Sequence, residues 1–227
     1  MSIIRERLDP WAGDVSKIES FLHTQRYEYA AKEANGAVLD VGCGLGYGSG
    51  ILYRTINSIV SFDISSTALV YAKKKYQGPK YVMADAQVLP FNDTSFDYVV
   101  AFEIIEHVIS ANCLLKEIHR VLKKKGILIL STPNVANLQN RLMCLLLRKK
   151  ISTLAENPTN PYHEREYTPR GLSRLFESTG FIIDKKWGQM IPLPLIHKLS
   201  TRLYINTGHL LPDFSFHIIY KAVKGEK

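Results

Sequence analysis

The chain has 227 residues and a formal net charge of +8, with 46% hydrophobic and 22% charged residues. This composition is ordinary for a globular protein and excludes a disordered or collagen-like chain. The length suits one sizeable α/β domain that buries most of its apolar surface. We therefore expect a single domain over 1–227, with a helical cap at 1–35 and insertions at 135–168 and 189–212.

The cysteines and the N-terminus indicate the compartment. Three cysteines stand at wide, irregular spacing without a CxxC pair, which argues against a disulfide framework or a cysteine zinc site and favours a reducing compartment. The N-terminal stretch MSIIRERLDPW carries charges where a signal peptide has its apolar run, and no apolar run reaches about 18 residues. We expect a cytoplasmic protein.

The first two thirds of the chain alternate between apolar segments and helical patterns. Residues 14–34 are typical of an amphipathic helix capped by Asp14 or Ser16. Five apolar segments follow at 37–41, 58–63, 80–85, 96–102 and 126–134, and most of them precede a helix, the last of these helices being predicted at 111–124. Lysine runs at 73–75 and 123–125 are expected to end two of the helices. Strands without period-2 alternation are covered on both faces, so we predict a doubly wound parallel sheet.

The last third has a different pattern. We predict a helix over 134–150, a polar loop over 151–168, and a helix that begins at Thr168-Pro169 and ends at Gly180. Two final strands, FIIDKKW and FSFHIIYKAV, are separated by a helical insertion near 194–205.

A glycine-rich turn, GCGLG, joins the first strand to the following helix. Gly42, Gly44 and Gly46 allow a sharp turn and a close approach of the backbone to a ligand, which indicates a nucleotide-like cofactor. Asp63 ends the second strand about twenty residues further on, where a carboxylate can accept hydrogen bonds from ribose hydroxyls. Asp85 ends the third strand and is placed to accept one from an adenine amino group.

These segments, VLDVGCGLGYGS, FDIS, ADAQVLPF, SFDYVVAFEIIEHV and RVLKKKGILILSTPN, resemble the class I S-adenosylmethionine-dependent methyltransferases of the small-molecule type. The resemblance implies a seven-stranded sheet whose last strand is antiparallel, and S-adenosylmethionine as the cofactor. The sequence departs from the family at KKKGIL, where the family usually has a proline and two glycines. The residues that we assign to cofactor binding are Asp40, Gly42, Gly44, Gly46, Asp63, Ile64, Asp85, Ala86 and Phe102.

The stretch FEIIEHV follows the fourth strand, beside the expected methyl donor. If it turns helical, Glu103, Glu106 and His107 share one face, where two carboxylates and an imidazole repel one another unless a cation or a proton is shared. Three interpretations stay open: structural groups with satisfied hydrogen bonds, proton transfer with His107 as general base and Glu106 beside it, or a metal site.

A later histidine favours the metal site. ExxEH followed by His163 and EYT resembles the ubiquinone-pathway O-methyltransferases and the small-RNA 3′-terminal 2′-O-methyltransferases, whose quartet holds a divalent cation. The resemblance implies Glu103, Glu106, His107 and His163 as ligands, with Mg²⁺ as the metal. It implies O-methylation of a hydroxyl beside a second hydroxyl.

The acceptor is expected to be a small molecule, a lipid-linked group or a glycan. The alternative is an RNA 3′ terminus, which the charge permits, although no RNA-binding domain and no basic stacking patch is evident. A non-catalytic cofactor-binding protein is the third class. In LQNRLMCLLLRKK, at 138–150, leucines share a helical face next to a basic cluster. Peripheral contact with an anionic membrane or packing over the active site would explain this segment equally well.

Overall fold

The computed structural model of the protein describes residue 10 and residues 16–158, 160–191 and 207–226. The helices are α1 (Lys17–Glu33), α2 (Tyr47–Tyr53), α3 (Ser66–Lys75), α4 (Ala111–Val121), α5 (Leu138–Leu146), α6 (Ile151–Glu156) and α7 (Pro169–Ser178). The strands are β1 (Val38–Val41), β2 (Ile59–Asp63), β3 (Lys80–Met83), β4 (Phe96–Phe102), β5 (Leu122–Pro133), β6 (Phe181–Gln189) and β7 (His217–Lys224). Short 3-10 turns lie at Thr207–His209 and Pro212–Phe214.

All seven strands form one sheet in the order β3-β2-β1-β4-β5-β7-β6. Strand β7 is antiparallel to both of its neighbours, β5 and β6, while the pairs from β3 to β5 are parallel. The prediction of a doubly wound α/β sheet of seven strands with an antiparallel last strand is therefore confirmed.

Both faces of the sheet are buried. Leu39 of β1 packs in a cluster with Leu114 of α4 and Leu172 of α7, whereas the preceding Val38 packs in a second cluster with Tyr27 of α1 and Leu52 of α2. Neighbouring residues of a strand point to opposite faces, so an unbroken apolar run is what a strand covered by helices on both sides requires. Among the described residues, none of the helices is long and apolar enough to cross a bilayer.

Helices α1, α5 and α7 each begin directly after a residue whose side chain caps the helix. Ser16 caps α1 and forms a capping box with Glu19, which confirms one of the two predicted caps, and Thr168 caps α7 with Pro169 in its first turn. The cap of α5 is Asn137, whose side chain accepts a hydrogen bond from the N–H of Asn140 at 3.0 Å. The predicted helix over 134–150 is therefore too long, because the asparagine side chain bonds the backbone where the helix would otherwise continue.

Two further predictions about the elements were wrong. Helix α4 ends at Val121, and lysines 123–125 belong to β5, where Lys123 reaches the carboxylate of Asp97 at 2.8 Å. Pairing of β5 with β4 and β7 overrides the helical preference of this segment. The region 151–168, predicted as a loop, contains α6. The helical insertion predicted near 194–205 lies outside the described residues.

Candidate active site

The glycine turn between β1 and α2 is built on left-handed backbone conformations, with φ values of 70° at Gly42, 53° at Gly44 and 82° at Gly46. A Cβ atom on Gly46 would come within 2.5 Å of the Cβ of Ala72. The turn also ties two strands together, because the N–H of Gly44 donates to Oδ2 of Asp63 at 2.9 Å. The glycines are required here by backbone conformation and by close packing.

A cavity of about 530 Å³ opens above this turn, at the edge of the sheet where the parallel strands end. Seven of the residues assigned to cofactor binding from the sequence line it: Gly42, Gly44, Asp63, Ile64, Asp85, Ala86 and Phe102. The volume is that of a typical cofactor pocket.

The acids at the strand ends keep acceptor capacity for a ligand. Oδ1 of Asp63 accepts the N–H of Ser65 at 2.9 Å, and Oδ1 of Asp85 accepts the N–H of Gln87 at 2.8 Å. A carboxylate offers about four lone pairs, so each of these bonds positions the side chain without occupying all of its acceptor sites. A ribose and an adenine amino group fit this donor and acceptor set.

Asp40 and Gly46 lie below the cavity and do not line it. Asp40 is fully buried, and its carboxylate accepts hydrogen bonds from Ser49 at 2.7 Å and from Tyr27 at 3.2 Å. Burial raises the pKa of Asp40 to about 6, against the lowering effect of these two bonds. Asp40 therefore supports the glycine turn from beneath, and its direct role in cofactor binding stays a prediction.

Helix α1, which we expected as a helical cap, contributes two side chains to the cavity that we did not predict from the sequence. His23 and Tyr27 line the cavity, and Nδ1 of His23 lies 2.9 Å from the hydroxyl of Tyr47. Burial, assisted by the charge of Arg26, lowers the pKa of His23 to about 3, so this imidazole is neutral at physiological pH. Nothing in the amphipathic pattern of α1 indicated that a histidine would line this cavity.

The segment after β4 is a turn and not a helix, so the helical face that would group Glu103, Glu106 and His107 does not form. Glu103 takes a left-handed backbone conformation (φ 52°), and it is not part of the cluster that the other three predicted ligands form. Oε1 accepts hydrogen bonds from Nη1 of Arg26 and from Ser131, and Oε2 lies 3.3 Å from Nε2 of His217. Burial acts to raise the pKa of Glu103, but the charges of Arg26 and His217 hold it well below its ordinary value.

The remaining three predicted ligands do converge. Glu106, His107 and His163 each offer one atom such that the three atoms lie within 4.8 Å of one another. The two imidazole rings meet edge to face with centroids 5.0 Å apart, although 55 residues separate them in the chain. This constellation has the carboxylate and imidazole donors that suit a divalent cation.

The hydrogen bonds of the two histidines fit a metal site. Nδ1 of His107 lies 2.9 Å from the carbonyl oxygen of Tyr162, and Nδ1 of His163 lies 3.1 Å from Oε1 of Glu166. Both partners only accept, so Nδ1 donates in each ring. This is the arrangement in which the Nε2 atom of a neutral imidazole is available to ligate a metal. At present Nε2 of His163 accepts from the amide of Asn160 at 2.9 Å, which a cation would displace. Glu166, in HEREYT, is an orienting residue that we missed.

Glu106 is the buried member of this cluster. It is 1% exposed, and its Oε2 accepts a hydrogen bond from Thr132 at 2.9 Å. Burial and the negative charge of Glu103 raise the pKa of Glu106 well above its ordinary value. A buried carboxylate in this position is stabilised either by a proton or by a cation.

A second cavity, of about 650 Å³, lies over this cluster. Its wall includes Glu103, Glu106, His107 and His163, together with residues at the start of α5. It adjoins the first cavity, so the structure places two compartments side by side at the carboxyl edge of the sheet.

Comparison with known proteins identifies the kind of domain to which the first cavity belongs. Residues 39–130 match the family described as "Methyltransferase domain". A Mycobacterium tuberculosis protein named "Probable S-adenosylmethionine-dependent methyltransferase" is 32% identical over 145 residues, which are 64% of this chain and 48% of that protein. The ubiquinone biosynthesis O-methyltransferase of Pelagibacter ubique is 35% identical over 104 residues, 44% of this chain and 43% of that protein.

The fold matches over a greater length. The crystal structure of an S-adenosylmethionine-dependent methyltransferase from Thermotoga maritima superposes with a TM-score of 0.68 and 21% identity, and the match covers 92% of this chain and 91% of that one. The chain spans about half the length of the curated relatives. These matches fall on the strands and the glycine turn that line the first cavity. Residues 39–130 thus form a methyltransferase domain, and the fold of the chain is that of solved S-adenosylmethionine-dependent methyltransferases.

Proposed function

We propose that the protein transfers a methyl group to a hydroxyl oxygen of an acceptor that lies in the second cavity. The observation that carries this proposal is that His23, Glu103, His107 and Tyr162 line both cavities. A methyl donor in one cavity and an acceptor in the other would be direct neighbours, and such positioning can supply most of the rate acceleration. The O-methyltransferase name of the Pelagibacter relative supports oxygen as the acceptor atom.

The chain's own residues would bind the acceptor and determine where its hydroxyl proton goes. S-adenosylmethionine supplies an electrophilic methyl group on a sulfonium. As the acceptor oxygen attacks that carbon, the hydroxyl proton must leave, and His107, which lines both cavities and bonds Tyr162 through Nδ1, could accept it on Nε2. If His107 is a ligand instead, the proton passes to solvent.

We propose further that Glu106, His107 and His163 hold a divalent cation, with Mg²⁺ as our choice. The carboxylate of Glu106 and one ring nitrogen of each histidine would form the donor set, while Glu103, bound to Arg26, is left out of the site. A divalent cation acts as a Lewis acid that lowers the pKa of a nearby hydroxyl. That property suits an acceptor with two neighbouring hydroxyls.

The direct test is transfer of tritium from methyl-labelled S-adenosylmethionine into an extract of the native cells. We expect a labelled product that survives treatment of the extract with ribonuclease. Loss of the product after ribonuclease would favour an RNA 3′ terminus, which the net charge of +8 permits. Tight binding of S-adenosylhomocysteine without any labelled product would contradict a catalytic role.

The ribose assignment predicts a specific defect. Asp63→Ala should weaken S-adenosylhomocysteine binding by about a hundredfold, because hydrogen bonds to a charged group are lost. Calorimetry should also compare a 2′,3′-dideoxy analogue of the ligand. The wild type should bind that analogue as weakly as the variant binds S-adenosylhomocysteine, and the variant should not distinguish the two ligands.

The control is Asp184→Ala, which removes an exposed carboxylate that lines neither cavity and should leave the affinity unchanged. If Asp63→Ala lowers the affinity for S-adenosylhomocysteine and for the dideoxy analogue by the same factor, Asp63 acts only by holding the N–H of Gly44. The ribose assignment is then wrong.

We also propose that the end of α5 contacts an anionic membrane surface. Four leucines of this segment are 53% to 81% exposed, and three basic residues follow them at once. We call this surface the α5 patch, and its members are Leu142, Leu145, Leu146, Leu147, Arg148, Lys149 and Lys150. The start of α5 meanwhile lines the second cavity, so packing over the site and membrane contact are compatible.

Liposome flotation tests the α5 patch. The wild type should float with vesicles that contain an anionic lipid and much less with neutral vesicles, because each basic residue adds about 1 kcal/mol at an anionic surface. Changing Arg148, Lys149 and Lys150 to glutamate should abolish flotation. A matched variant with the lysines at 73–75, at the end of α3, changed to glutamate should still float. Equal recovery of the two variants with the vesicles would contradict the proposed membrane contact.

A further inference from the structure

The second cavity has a strongly polar lining. Of the 16 described residues that line it, four are glutamates and five carry side-chain amides, and none is a lysine or an arginine. Of these 16 residues, only Pro133 and Val135 are aliphatic. Since pockets for small molecules are usually lined mainly by apolar side chains, this composition points to an acceptor that presents many hydrogen-bonding groups.

Part of this polar lining is committed to the protein itself. Asn134 and Asn137 hold the turn before α5 through bonds to backbone carbonyls and N–H groups. Other groups keep capacity for a ligand. Asn140 donates to the carbonyl of Val135 at 2.9 Å and retains its own oxygen, and the exposed side chain of Gln139 makes no hydrogen bond within the described part of the chain.

Two aromatic rings complete the wall. Tyr162 is 54% exposed and Phe216 is 37% exposed, and both line the second cavity. Amides and carboxylates that bind hydroxyls, combined with exposed ring faces that can pack against C–H groups, match the two kinds of surface that a sugar ring presents.

From this lining we infer that the acceptor is an uncharged polyhydroxylated ring, such as the sugar of a glycoside or glycan, which is methylated on one of two neighbouring hydroxyls. The inference rests on the proposed methyl transfer. Transfer forms an oxygen–carbon bond, breaks the methyl–sulfur bond with its electron pair left on sulfur, and releases the hydroxyl proton.

The other two acceptor classes fit this lining less well. A phosphodiester backbone would find no lysine or arginine among the described lining residues, and only the proposed cation would offset its charge. A phenol with a polyprenyl chain needs an apolar wall that Pro133 and Val135 alone do not provide. The chemistry of the product separates the three classes.

The experiment uses the full chain, tritiated S-adenosylmethionine and a native-cell extract, and it identifies the labelled product. We expect acid hydrolysis of the product to release a labelled O-methyl monosaccharide. Label that is sensitive to ribonuclease, or label in an organic-soluble methylated phenol, would overturn the sugar inference and leave methyl transfer standing. S-adenosylhomocysteine binding with no labelled product would contradict the proposed function itself.

A pair of variants tests the cavity as the binding site. Gln139→Lys should raise the KM for the labelled acceptor about fivefold, the equivalent of one lost hydrogen bond, with unchanged affinity for S-adenosylhomocysteine. Val70→Lys adds the same charge to an exposed position of α3 that lines neither cavity, and it should leave that KM unchanged. The KM of a neutral acceptor should also change less than about twofold between about 50 and 200 mM salt, whereas an RNA acceptor would lose far more. A lower KM for Gln139→Lys, or a steep salt dependence, would contradict a neutral acceptor.

Discussion

Removal of divalent cations by a chelator should lower the rate of methyl transfer by about a thousandfold, roughly 4 kcal/mol of transition-state stabilisation. Binding of S-adenosylhomocysteine should persist, because the first cavity is formed by the glycine turn and the acids at the strand ends. Addition of Mg²⁺ or Mn²⁺ should restore the rate. Transfer is measured with labelled S-adenosylmethionine and the acceptor fraction, and binding is measured by calorimetry.

The two histidines should be equivalent in this experiment. His107→Ala and His163→Ala each remove one ligand from the same cluster, so both should reduce transfer to a similar extent. His209→Ala is the matched control, since this histidine lines neither cavity. If chelation has no effect and only His107→Ala is inactive, His107 is a general base and there is no metal site. If neither substitution matters, the cluster is structural.

Replacement of Arg26 by methionine should lower the free energy of unfolding by roughly 3 kcal/mol, because the half-buried carboxylate of Glu103 then keeps His217 but loses the buried guanidinium that pairs with it. Arg26 is 3% exposed and also bonds Ser131 at 2.9 Å and the carbonyl of Leu22 at 3.2 Å. Denaturant unfolding at neutral pH measures the loss.

Two further variants separate the buried charge from lost packing. Lys186→Met breaks the partly exposed pair with Asp213 and should cost less than about 1 kcal/mol. Arg26→Met combined with Glu103→Gln should recover part of the loss, since no charge is then stranded. Because the folded-state pKa of Glu103 lies well below 4.5, its ordinary value, the stabilisation is present above pH 4.5 and is lost as the pH falls through the lower pKa. A double variant no more stable than Arg26→Met would contradict this explanation.

The sheet and the cofactor cavity were predictable from local patterns. Unbroken apolar runs such as VLDV and FDYVVAF predict strands covered on both faces, and the ends of parallel strands meet at one edge, so Gly42, Asp63 and Asp85 were expected to be neighbours. The same local reasoning failed for lysines 123–125, because the pairing of β5 with β4 and β7 is a non-local interaction that outweighs helix propensity.

What the sequence by itself determined is the chemistry available at the site, namely the residue types in FEIIEHV and the later His163. Only the tertiary structure decided their partners. A left-handed residue at 103 directs Glu103 toward Arg26 of α1, more than seventy residues earlier in the chain. The turn that follows brings Glu106 and His107 against the loop that carries His163. Spacing along a chain gives relative positions only within one regular element, so contacts among α1, the β4 turn and a distant loop depend on how those elements pack.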